Sequence, residues 1–105
     1  MNQKAIIARL IVELNKVLTR QAMFLGEITV ASAISFGGGI YCACAALDIT
    51  LTTELRSEAT NSCGWQFSPT GSVDHMREQG LTEEQIVHEL VLIEIKMLEI
   101  VAAGL

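Results

Sequence analysis

Two stretches of the chain repeat their apolar residues with the period of a helix. In residues 2–20, NQKAIIARLIVELNKVLTR, the side chains of Ile7, Leu10, Ile11, Leu14, Val17 and Leu18 fall on one stripe, with Arg9, Glu13, Lys16 and Arg20 opposite. The spacing predicts a helix with one buried and one solvated face. The second stretch is LTEEQIVHELVLIEIKMLEIVAAGL, residues 81–105. It opens on a capping box, Thr82 followed three residues later by Gln85, with Glu83 and Glu84 in the first turn, where the helix dipole favours negative charge. Ile86, Leu90, Ile93, Met97 and Ile100 step along one seam, and Val87, Val91, Ile95 and Leu98 form a second row beside it. A stripe this wide is more than one neighbour covers, so the helix is expected to pack on a sheet and on a second surface as well. Ile7, Ile11 and Leu14 are the residues expected opposite the seam.

Between these stretches the period changes. Ile28, Val30, Ser32, Ile34 and Phe36 alternate with Glu27, Thr29, Ala31, Ala33 and Ser35, and Gly37-Gly38-Gly39 follows. Beyond the glycines Tyr41, Ala43, Ala45, Leu47, Ile49, Leu51, Thr53 and Leu55 continue the alternation. Period two on both sides of a glycine turn predicts a β-hairpin. Cys63, Trp65 and Phe67 suggest a third short strand, stopped by Pro69 and Gly71. The expected fold class is therefore α+β: an N-terminal helix, a two- to three-stranded antiparallel sheet, and a C-terminal amphipathic helix packed on the sheet.

Residues 28–47 also form a run of 20 without charge, about the length a membrane helix needs. The alternative is a small membrane protein with one span at residues 28–47. Three glycines in the run, and alternation that continues past Asp48, weigh against it.

Residues 71–76, Gly-Ser-Val-Asp-His-Met, spell the pairs that restriction sites encode where coding segments are joined. They are read as a cloning-derived linker between residues 1–70, the helix and hairpin, and residues 77–105, the helix that completes the same single domain. Such a chimera would tether a helical partner to its receptor and raise its effective concentration. An ordinary polar loop uses the same residue types.

The totals narrow the function classes. With 105 residues the chain holds one domain with a core. Lys and Arg number 7 against 12 Asp and Glu, a net charge of −5, which excludes a nucleic-acid binder that works by neutralising phosphate. The imbalance is uneven: residues 1–27 carry four basic and two acidic groups, residues 48–105 three basic and ten acidic. Half the residues are apolar, so disorder is not expected. Three cysteines, with no secretory signal at the start, point to a reducing cytoplasmic setting.

Candidate chemistry is sparse. Cys42 and Cys44 with Cys63 and His75 or His88 have the ligand types of a zinc site, but a single intervening residue is tighter than the usual spacing. On a strand the first two would share a face. Cys63 with a histidine would make a nucleophile and base pair, but its surroundings, NSCGWQF, resemble no nucleophile turn. The glycine triplet lacks the pattern of a phosphate loop. These residues point to no catalytic, cofactor or metal site, and a thiol- or metal-dependent enzyme stands third. The first expectation is a non-catalytic interaction or structural module. A charge-poor hairpin needs its edges covered, so a homodimer or domain-swapped oligomer is expected.

Overall fold

A computed structural model describes residues 2–19, 29–66 and 72–105. Its described elements are five helices: α1 (Gln3–Thr19), α2 (Val30–Ala46), α3 (Thr53–Ser62), α4 (Ser72–Glu78) and α5 (Glu83–Gly104). The described residues contain no strand. The expected α+β class is therefore wrong, and the described residues form an all-helical bundle.

The hairpin fails because period two was only one of two patterns in residues 30–46. The buried residues of α2 are Val30, Ala33, Gly37, Ile40 and Cys44, spaced three, four, three and four apart. That is the period of a helix. Nearly every residue there is apolar or small, so a stripe drawn at either period finds members. Glycine costs a helix about 1 kcal/mol relative to alanine, yet Gly37, Gly38 and Gly39 all lie inside α2. Packing and capping offset that cost. Thr29 caps the helix, its Oγ1 accepting from the Ser32 amide at 3.1 Å. The Val30 amide donates to Glu83 Oε1 at 2.9 Å, which ties the start of α2 to the start of α5.

Three helices end in the same way. After α2, the amide of Ile49 reaches Cys44 O and that of Asp48 reaches Ala45 O. After α3, Trp65 and Gly64 donate to Thr60 O and Asn61 O, and after α4, Leu81 and Gly80 donate to Met76 O and Arg77 O. Each pair is a Schellman closure, whose pivot takes a left-handed backbone. Gly64 (φ 86°) and Gly80 (φ 87°) suit it, whereas α2 uses Asp48 at φ 61°. The proposed second strand thus ends in a helix stop, and its tail forms α3. Thr52 caps α3 by accepting from the Leu55 amide. Cys63 to Gln66 form a turn and an irregular segment rather than a third strand. Ile28, Phe67, Pro69 and Gly71 lie outside the described residues.

Helix α5 is the hub. The other four each pack on it, and among the described residues all helix-to-helix packing runs through it. Its capping box is formed: the Gln85 amide donates to Thr82 Oγ1, and the Thr82 amide to Gln85 Oε1 at 2.8 Å. Ile86, Val87, Val91, Ile93, Glu94, Ile95, Met97 and Leu98 are buried, an arc of about 200° around the helix. The wide stripe is thus covered by helices and not by a sheet. Met76 of α4 is fully buried in the same core, so residues 72–76 of the expected linker are helix.

No helix among the described residues is long and apolar enough to cross a membrane. The 17 residues of α2 would extend about 26 Å, short of a hydrocarbon core of about 30 Å.

Candidate functional site

The expected seam is gathered into the core. Ile86, Ile93 and Met97 are buried with Ile7 and Leu14 of α1, and Ile11, Leu90 and Ile100 are half-buried against the same cluster. These residues are engaged within the chain.

The thiol and metal arguments lose their geometry once α2 is a helix. Positions two apart on a helix lie about 200° apart, so Cys42 is exposed while Cys44 is buried. No group of three potential metal ligands occurs among the described residues. Burial, with Glu89 as the next cause, pushes the Cys63 thiol up, the wrong direction for a nucleophile. Burial and Glu94 do the same to Cys44. His75 stands edge-on to Trp65, with ring centroids 6.0 Å apart. His88 is exposed, at the edge of a small recess with Trp65, Leu81, Gln85 and Glu89.

A different site emerges where α2, α3 and α5 meet. Glu94 lies in the middle of the buried arc of α5 and keeps only 7 % of its surface exposed. A buried carboxylate is costly unless paired and hydrogen-bonded. Arg56 of α3 supplies the pair, its Nη1 donating to Glu94 Oε1 at 3.1 Å. Glu94 Oε2 is buried and finds no donor among the described residues. Burial therefore raises the Glu94 carboxyl above the ordinary carboxylate range, while Arg56 pulls it part of the way back.

Gly37 is what allows this placement. A Cβ there would stand 3.0 Å from Glu94 Oε1, whereas one at Gly38 or Gly39 would meet nothing within 4 Å. Beside the pair runs a groove of about 310 Å³ between α2 and α5. Ala33, Ile34, Phe36, Gly37, Gly38 and Tyr41 form its α2 wall; Leu90, Val91 and Glu94 form its α5 wall, with Arg56 at one side. Ile34 and Tyr41 remain 60 % and 45 % exposed.

No protein-family model, curated protein or solved structure matches this chain. The site therefore has to be read from its own chemistry. Its described wall is mostly apolar, and the carboxylate of Glu94 in it is held by a guanidinium. It offers a receptacle for an apolar group and a rim of exposed apolar side chains.

Sequence reasoning passed over Glu94 and Arg56. One signal was available: Glu94 is the single charged residue between the two apolar rows of α5, flanked by Ile93 and Ile95. An acid in the middle of so wide a stripe calls for a buried cation, and the chain has three basic residues beyond residue 47.

Proposed function

We propose that this chain is a non-catalytic protein-interaction module that receives apolar side chains in the groove between α2 and α5. The observation that carries the reading is the groove itself, about 310 Å³ of mostly apolar wall with Ile34 and Tyr41 held at its rim. Binding sites are typically concave, apolar and furnished with a few polar groups, and this one fits that description. The chemistry at its wall favours binding over catalysis. Glu94 already spends one oxygen on Arg56, and among the described residues no second carboxylate or histidine lines the groove to complete a general acid and base pair.

An odd number of cysteines in so short a chain supports a reducing compartment, and on that ground the reading is cytoplasmic. The tethered-helix reading draws support from the position of α5, on which every other described helix packs.

The groove is tested by solution NMR. N-acetyl-leucinamide and N-acetyl-tryptophanamide are titrated as stand-ins for a partner's side chains. Saturable shifts confined to Gly37, Gly38, Tyr41 and Leu90 are expected, and Gly38→Leu, which plugs the groove, should abolish them. Shifts scattered over the surface, or unaffected by the plug, would end the reading.

A further inference from the structure

One polar atom at the groove is left unused by the fold. Glu94 lines the groove and is 7 % exposed, and its Oε2 is buried without a hydrogen-bond partner among the described residues. Arg56 is bound to the other oxygen, Oε1, at 3.1 Å. An acceptor buried without a donor carries the full cost of its desolvation, and a donor brought to it recovers the loss. Oε2 is shut off from water as it stands. A donor therefore meets it when the carboxyl group turns about its last bond, a torsion that is broad in glutamate. Gly37 and Gly38 place no side chain on the stretch of wall they form.

The rest of the wall defines the body that carries such a donor. Ala33, Ile34 and Leu90 are aliphatic, and Phe36 and Tyr41 supply two of the chain's five aromatic residues. At about 310 Å³ the groove lies at the small end of ligand pockets, a size that suits one large side chain and not a whole helix.

We propose that the groove receives a tryptophan side chain of a partner protein, its indole N–H donating to Glu94 Oε2 and its rings packing against Phe36, Tyr41 and Leu90. This rests on the groove reading and names its occupant. Charge narrows the donor first. Glu94 and Arg56 together are neutral, so an ammonium or guanidinium would bury a second cation beside Arg56, and a carboxylate would meet Glu94. The donor is therefore neutral. Hydroxyl, amide and neutral imidazole groups each bring an acceptor as well, which an apolar wall leaves unpaired, whereas indole is a donor only. Its large apolar body also matches the aromatic part of the wall. The chain's one tryptophan, Trp65, lies at the other recess with Leu81 and His88, so the indole comes from outside.

The test compares N-acetyl-tryptophanamide with its benzothienyl analogue, in which a ring sulfur replaces the N–H at nearly unchanged shape. Both are titrated into the intact chain at mildly alkaline pH and followed by NMR. The indole should bind tighter by about tenfold or more, the usual worth of a hydrogen bond to a charged group, and its N–H proton should move downfield on binding. Glu94→Met should make the two probes bind alike. If that variant fails to fold, the wild-type comparison and the N–H shift decide the question alone. Equal affinities in the wild type overturn the proposal, as does a preference that survives Glu94→Met or tighter binding of N-acetyl-lysinamide. Saturable binding of leucinamide and the benzothienyl probe with no preference for indole leaves the groove standing and removes only its occupant. If no probe saturates, both readings fall.

Discussion

The backbone of Gly37 on α2 and the carboxylate of Glu94 on α5 are in direct apposition: a methyl group on the glycine would stand 3.0 Å from Oε1, closer than ordinary van der Waals contact. Gly37→Ala gains helix propensity but pushes Glu94 away from Arg56. Gly39→Ala gains the same propensity against open space. Gly39→Ala is expected to raise stability by about 0.5–1 kcal/mol, and Gly37→Ala to lower it by about 1 kcal/mol. Urea unfolding of the two variants side by side checks the difference; equal stabilisation would show that the contact does not constrain Glu94.

The ion pair predicts a pH dependence of definite sign. The Glu94 carboxyl is raised in the folded protein, so between its unfolded and folded values the native state binds the extra proton. Its contribution to stability therefore increases as pH falls through the folded value and levels off below the ordinary carboxylate value. Glu94→Gln should remove that component, read as the difference between the pH profiles of wild type and variant. A difference that is flat, or of opposite slope, would contradict burial as the dominant cause.

Removing the cation is the complementary change. Arg56→Met leaves Glu94 buried without its partner; with the Arg56 side chain itself 41 % exposed, the loss is expected at about 1–3 kcal/mol at neutral pH. Part of this should return on acidification, and Arg56→Met combined with Glu94→Gln should be more stable than Arg56→Met alone. A double-mutant cycle by denaturant unfolding measures the coupling; additive losses would mean that the two side chains act independently.

Asp48 holds a left-handed backbone at the end of α2, where Gly64 and Gly80 serve the equivalent turns. A carboxylate at a helix C-terminus is also disfavoured by the dipole. Asp48→Gly is expected to stabilise by about 0.5–1 kcal/mol, the relief of strain outweighing the added freedom of the unfolded chain. A thermal melt decides it, and a lower Tm would argue that the Asp48 side chain contributes more than the turn costs.

Because packing among the described helices runs through α5, a chain ending at Gly80 loses the surface on which each of its described helices packs. Such a fragment is expected to lose most of its helical circular dichroism, since isolated helices of 17 residues or fewer are marginal in water. Retention of the full signal would show that the N-terminal helices assemble without the hub.

The sequence by itself determined α1 and α5. Their polar and apolar residues are segregated, so only a period near 3.6 sorts them, and the Thr82–Gln85 capping box marks where α5 begins. Local chemistry was also legible at Gly64 and Gly80, which stand at helix C-termini where glycine relieves a left-handed turn; read as helix stops, they would have revealed α3 and α4. Residues 30–46 are another matter. With apolar or small side chains on every side, they satisfy a strand and a helix pattern alike, and three glycines favour neither. The tertiary structure resolved the ambiguity. A strand would have left its backbone groups in need of a sheet that the described chain does not contain, whereas a helix satisfies them internally and buries Ala33, Gly37 and Cys44 on one face. The candidate site was hidden for the same reason. Glu94, Arg56 and Gly37 come from three helices and mean little apart, and they become a site only when packing removes water from the carboxylate and sets the guanidinium beside it.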